Sequence, residues 1–331
     1  MPASILKQAL TLYYMPKLLL IVLLCSLYLQ TVAQDEQPFT ESVLNKEHSF
    51  FKAGLTYLSN NVYNGRKDSL VVPYLTPSLA YYHPSGLFAK TSVSYLVSSY
   101  AQKVDLVDLE AGYRFQLKHH FGGSLSAGLP FYNASSVSVL SQTKGEFSAG
   151  FYWDIVNAVT LNASAGYMLT TGMADKYINT GLSHEFSFGK DEAWSIEPSV
   201  AANFGTRNYY EEYKKHRRLK TGKTKAGKDS TVTGGGNGKV VVTTTVTSLD
   251  ANQLVMLDSE LSLAMYYDTG KWSFFATPTF AIPVNPAVYV TTITTDKTLA
   301  NGTTTHNSRT VSATEQISNT FYMELGVSYK F

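Results

Sequence analysis

Hydrolysis and group transfer need a nucleophile, or a water, within hydrogen-bond reach of a base. The candidate bases of this chain are scattered. His184 directly follows Ser183, and adjacent residues of a strand point to opposite faces, so these two cannot pair. His119 and His120 fall in a tight turn, and His216 and His306 in two separate loops. No His-x-x-x-His pair or Cys/His cluster has metal-ligand spacing. Gly222 to Lys228 has the glycine spacing of a phosphate-binding loop, but Asp229 stands where the hydroxyl residue belongs, with no strand–loop–helix around it. The expectation is therefore no enzyme, no cofactor and no metal.

What remains is electrostatic chemistry on a regular lattice. Phe321, Met323, Leu325, Val327, Tyr329 and Phe331 alternate with Tyr322, Glu324, Gly326, Ser328 and Lys330. Successive strand residues point to opposite faces, so one face is apolar and the other carries the charges. Val107, Leu109, Ala111, Tyr113, Phe115 and Leu117 likewise oppose Asp108, Glu110, Gly112, Arg114 and Gln116. Trp194, Ile196, Pro198, Val200, Ala202 and Phe204 oppose Ser195, Glu197, Ser199, Ala201, Asn203 and Gly205. Leu257, Leu261, Leu263, Met265 and Tyr267 share a face opposite Asp258, Glu260, Ser262, Ala264 and Tyr266. Val159 to Leu169 repeats the pattern. The runs are about 9–13 residues long, where ordinary strands average about 5–6 and a tilted membrane-spanning strand needs about 9–11.

Composition agrees. Charged residues are only 16% of the 331, aromatics 13%, with 23 Tyr and 17 Phe. A soluble domain carries about 25% charge. Mean hydropathy is nevertheless near zero, because Gly, Ser, Thr, Asn and Tyr fill the polar positions. That mixture suits strands with one apolar and one uncharged polar face. No apolar run long enough for a spanning helix follows the N-terminal segment. In hydrocarbon, strands satisfy every backbone group only as a closed barrel.

The N-terminal segment reads as a secretory leader over residues 1–34. Lys17 precedes the apolar run from Leu18 to Leu24, and Thr31-Val32-Ala33 offers a small-residue cleavage site. Met15 is a candidate true start. The only cysteine, Cys25, lies inside this leader behind Leu24, which is too large for a lipoprotein signal, and the mature chain has no disulfide. Removing Lys7 and Lys17 takes the net charge from +2 to 0, which gives no argument for nucleic acid. Residues 35–47 form a short periplasmic segment, and the barrel occupies 48–331.

Twelve strands are predicted near 49–59, 70–82, 86–98, 104–117, 122–132, 146–155, 158–170, 176–188, 193–205, 255–268, 271–283 and 317–331. Their connections alternate. Tight turns fall at His83 to Gly86, Lys118 to Gly123, Val156-Asn157, Gly189 to Glu192 and Asp268 to Lys271. The others span 60–69, 99–103, 133–145, 171–175, 206–254 and 284–316, so both very long loops fall on one side. Aromatics gather toward strand ends at Tyr81, Tyr82, Phe131, Tyr132, Trp153, Tyr267, Trp272, Tyr329 and Phe331, where interfacial girdles sit. Two separate hairpins are expected in the long loops, turning at Gly234 to Gly238 and at Asn301-Gly302. Lys214, Lys215, Arg217, Arg218, Lys220, Lys223, Lys225 and Lys228 give the first loop a basic run, fit for lipopolysaccharide phosphates or a polyanionic substrate, or simply for solvation.

The leader, together with a final strand ending in Tyr329 and Phe331, resembles Gram-negative outer-membrane β-barrel proteins of the porin-like kind. The fold expected is all-β, a transmembrane antiparallel up-and-down barrel of about twelve strands after a cleaved signal peptide. The resemblance implies recognition of Tyr329 and Phe331 by the barrel-assembly machinery, with membrane lipid and lipopolysaccharide as neighbours. With the apolar face toward lipid, Lys52, Lys90, Arg114 and Lys330 would line the lumen beside Asp108, Glu110, Asp154, Glu185, Glu197, Asp258, Glu260 and Glu324. Eight acids against four bases favour cations or neutral polar solutes. Function is then a channel or transport barrel for small polar solutes, or a non-conducting barrel that displays its loops for adhesion or assembly.

Overall fold

The computed structural model describes residues 48–331, except 68–70, 99–101, 119, 156–158, 214–229, 235–237 and 300–302. The leader, the 35–47 segment, the basic run 214–228 and the glycine motif within it lie outside the described residues.

Every run of period-two alternation is a strand. β1 (Phe50–Leu58), β2 (Tyr74–Tyr82), β3 (Leu87–Val97), β4 (Gln102–Lys118), β5 (Phe121–Tyr132) and β6 (Thr143–Ile155) follow one another as antiparallel neighbours. β7 (Val159–Thr170), β8 (Asp175–Ser183), β9 (Trp194–Gly205), β10 (Val255–Thr269), β11 (Trp272–Pro283) and β12 (Thr320–Lys330) continue the sequence. β12 pairs back onto β1, from Lys330 opposite Lys52 to Glu324 opposite Leu58, and closes the ring. Closure leaves no strand edge, as spanning a bilayer requires.

The two faces of this cylinder differ in kind. Phe51, Leu55, Leu79, Leu109, Leu125, Leu129, Phe147, Phe151, Phe274, Phe280, Phe321 and Leu325 all remain between 38 and 63% exposed. They share one strand parity, so they form a continuous outer belt. The opposite parity points inward and carries the polar residues, glycines and many of the tyrosines. Four inner glycines lie beneath rings from a neighbouring strand: Gly112 under Phe88, Gly122 under Tyr152, Gly166 under Tyr177 and Gly326 under Phe275. A ring covering a bare cross-strand glycine restores contact that the glycine cannot make. This accounts for the joint wealth of glycine and aromatics.

Three sequence expectations need correction. Leu257 does not join the outer belt. The β9–β10 register slips between Asn203 and Phe204, and the extra residue of that bulge, Leu257, is fully buried against Gly205. Tyr82 and Tyr132 do not join the aromatic girdle. They neighbour Tyr81 and Phe131, whose outward direction forces theirs inward. The strand expected over 176–188 is interrupted. Phe186–Phe188 continues in the register of β8 against Trp194–Ile196, but His184 and Glu185 break the ladder. Opposite them stand Pro198, which has no N–H to give, and Glu197, a like charge facing Glu185.

Above the barrel, Ser230–Gly234, Gly238–Ser248, Val288–Leu299 and Thr304–Thr314 form one four-stranded sheet. The two expected hairpins are both present, but they are joined along Gly238–Ser248 and Val288–Leu299. No helix among the described residues is long and apolar enough to cross a membrane.

Candidate functional site

The strand register fixes where each charged residue of the inner parity stands. Lys52 on β1 lies opposite Lys330 on one side and Ala80 on the other. Lys90 lies opposite Glu110, and Asp108 opposite Ser92. Arg114 on β4 sets its guanidinium 4.8 Å from the Tyr82 ring and 5.0 Å from Phe88, while the Lys330 ammonium sits 4.2 Å from Phe50. Phe50, Tyr82 and Phe88 are themselves stacked, at 5.0 and 6.1 Å. Asp154 accepts a 2.7 Å bond from Thr160 Oγ1. Glu197 on β9 is within electrostatic reach of Glu185 and Asp154, and Glu185 itself is exposed in the β8 interruption. Asp258 accepts a 2.8 Å bond from Asn203 Nδ2, and Glu260, two residues on, accepts from Tyr322 at 3.1 Å. Glu324 lies opposite Leu58 and Thr277. The fold thus brings together Lys90 with Glu110, Asp258 with Glu260, and Asp154 with Glu185 and Glu197. It keeps Lys52, Arg114 and Lys330 apart from that last trio.

The long-loop end of the bore is filled by its own loops. After β1 the chain makes a two-residue hairpin, Val62–Tyr63 against Arg66–Lys67. Asn64 and Gly65 take φ of 48° and 69°, the left-handed pair that such a tight turn needs. The Tyr63 hydroxyl contacts Met168 Sδ at 3.6 Å, and its ring meets Tyr209 edge-on at 5.2 Å. Met168 belongs to β7, six strands from β1 in a ring of twelve, and so to the opposite wall. The β1–β2 loop therefore crosses the bore.

Arg66 pins this crossing. Its terminal nitrogens donate to Asn64 O (3.0 Å), Leu257 O (3.2 Å), Val284 O (3.4 Å) and Asn285 O (3.1 Å). It also pairs with Glu315 at 3.3 Å, both side chains being almost fully buried. Asn61 Nδ2 donates to Ser138 Oγ of the β5–β6 loop at 3.1 Å. From the β9–β10 loop, a short helical turn at 208–213 is capped by Asp175, which accepts from the backbone N–H of Asn208 (2.7 Å) and Tyr209 (2.6 Å). Val139, Leu140, Met168, Tyr177, Tyr209, Tyr210 and Tyr213 close into one buried cluster. Burial pushes the Tyr209 hydroxyl well above the ordinary phenol range, so it stays neutral.

At the short-turn end, Trp153, Trp194 and Trp272 are 49, 47 and 47% exposed. They are all the tryptophans of the chain. Trp194 packs on Tyr267 at 4.4 Å and Trp272 on Tyr329 at 4.8 Å, with Phe331 a further 4.9 Å contact of Tyr329. An apolar belt ending in an aromatic rim, on a ring without edges, fits a lipid bilayer and nothing aqueous. The fold is a transmembrane antiparallel β-barrel. No protein-family model matches it, and no curated protein does. Among solved structures it is similar to the KdgM porin (8% identity, TM-score 0.40, covering 85% of this chain and 99% of that one). It is also similar to the NanC porin (8%, 0.42, 85% and 100%) and to BamA from Haemophilus ducreyi (10%, 0.35, 86% and 70%). At TM-scores below 0.5 these likenesses bear on neither activity nor solute.

The plugging of the bore rests on residues that strand periodicity passes over: Tyr63, Arg66, Met168, Asp175, Tyr209 and Glu315. One signal was present. Asn64-Gly65 between Tyr63 and Arg66 is a tight-hairpin pair inside a stretch expected to be plain loop. Nothing local marks Glu315 as the partner of Arg66, 249 residues away. Among the described residues, no group of three or more His, Cys, Asp or Glu is arranged to hold a metal ion.

Proposed function

We propose that the barrel is a gated outer-membrane passage for small polar solutes, with the loop stopper as its closed gate. The observation that carries this reading is the wall beneath the stopper. It keeps Lys52, Lys90, Glu110, Arg114, Glu197 and Glu324 on the inner parity, where a purely structural barrel would gain by packing apolar side chains. Charges held away from water cost several kcal/mol each, so such a wall fits a wet interior. The excess of acids over bases along the inner parity favours cations among charged solutes. Export through the 1–34 leader, delivery by the barrel-assembly machinery through Tyr329 and Phe331, and contact of the basic 214–228 run with lipopolysaccharide belong to the same reading.

Planar-bilayer recording tests it. The intact barrel should show small or rare conductance steps. A barrel in which residues 60–71 are replaced by a short glycine-serine link should show larger steps with a cation-selective reversal potential. Silence from both would reject the passage and leave the alternative of a non-conducting barrel that presents its four-stranded sheet to partners. That alternative has one observation in its favour, since all of Thr304–Thr314, the outer edge of that sheet, is exposed.

A further inference from the structure

The charges at the short-turn end of the bore are sorted by wall. Lys330, Lys52 and Arg114 stand on β12, β1 and β4. Asp154, Glu185 and Glu197 stand on β6, just after β8, and on β9. In a ring of twelve these two groups of strands face each other. All six residues lie within about five positions of the short-turn end of their strands, so they share one level of the bore. The basic wall is also furnished. Phe50, Tyr82 and Phe88 form a stacked ladder, and the Arg114 and Lys330 cations lie over its rings. A cation over a ring keeps its charge while its position is fixed. On the acidic wall Glu197 has Glu185 and Asp154 as its charged neighbours. Lys90, on β3 between these strands and opposite Glu110 in the register, stands on the basic side as well and leaves the sorting unchanged.

Geometry sets the size of solute that can sense both walls. Twelve strands about 4.8 Å apart, tilted near 40°, make a backbone ring about 24 Å across, and side chains reduce the gap to about 10 Å. An extended tripeptide is about 10 Å long. We infer that this level of the bore is a bipolar filter, favouring solutes with an ammonium at one end and a carboxylate at the other, such as zwitterionic short peptides. A solute with both groups satisfies both walls at once. A singly charged solute satisfies one wall and leaves the other to water. The inference rests on the passage proposed above and names its solute class.

Liposome swelling separates the two claims. The full chain and its Arg66→Ala variant, whose stopper is loosened, are reconstituted and challenged with arabinose, triglycine, N-acetyl-triglycine and triglycine amide. Arabinose should enter. Triglycine should enter about threefold faster than either blocked peptide, a factor within reach of one partly screened charge contact. Replacing Asp154 and Glu197 together by Lys should abolish that lead and make N-acetyl-triglycine the fastest peptide. The milder pair Asp154→Asn and Glu197→Gln, checked for folding by gel mobility before and after heating, should at least halve the lead. Equal rates for the three peptides while arabinose enters would overturn the filter and leave the passage standing. Exclusion of arabinose from both barrels would remove the passage, and the filter with it.

Discussion

A buried guanidinium has five donors to place, and Arg66 places its terminal nitrogens against oxygens from its own turn, from β10, from the segment after β11 and from Glu315. Removing one partner of a buried ion pair costs about 3–5 kcal/mol, because the other is left charged and unpaired. Arg66→Ala should therefore release the hairpin without disturbing the ring. Single-channel steps should grow several-fold, and limited proteolysis should begin to cut within 60–73, while the heat-resistant gel mobility of the barrel is retained. Arg66→Lys should resemble the alanine variant more than the parent, since a point charge cannot span several carbonyls at once. Unchanged conductance and unchanged proteolysis in Arg66→Ala would show that the stopper is held by its tyrosine cluster alone.

The element scale shows where sequence periodicity succeeds and where it stops. Alternation is local, and it placed all twelve strands, because an outer belt in lipid tolerates no slip of parity. It also forecast both long-loop hairpins, whose paired strands are present on either side of turn residues that lie outside the described residues. It misplaced Leu257, because a bulge adds one residue that no periodic rule anticipates. It misread Tyr82 and Tyr132 because end position alone does not give direction. It said nothing of the stopper or of the joined outer sheet, whose contacts bridge segments far apart in sequence. The interruption of β8 was readable in principle, since Pro198 and Glu197 are both visible in the sequence, but only once the register was known. Pro198→Ala should supply the missing N–H opposite His184. Hydrogen exchange should then slow at 184–188, with a stability gain of about 0.5–1 kcal/mol in urea unfolding. If exchange stays fast, the facing Glu185 and Glu197 hold the strands apart, and adding Glu197→Gln to that variant should slow it.

At the scale of the whole molecule, the decisive asymmetry is that large apolar side chains face out and charges face in. Soluble proteins rarely expose contiguous apolar patches beyond a few hundred Å². A belt that circles the molecule has one stable environment, and the three tryptophans report on it. Trp153, Trp194 and Trp272 all sit at the short-turn rim, each about half exposed. In vesicles containing brominated lipids their fluorescence should be quenched most by bromines near the headgroup and progressively less by bromines deeper in the chain, while aqueous acrylamide should quench weakly. The interface prefers aromatic rings at that depth, so the profile follows from placement of the rim alone. A barrel that packed its apolar face around a dry centre would hold these tryptophans inside, away from the lipid, and would give no response to bromine depth. Replacing Leu109, 44% exposed on the outer belt, by Arg should cost about 2–4 kcal/mol in the bilayer, whereas an outward arginine on a water-soluble barrel would cost almost nothing. The two measurements probe the rim and the belt separately, and only an outward apolar face satisfies both.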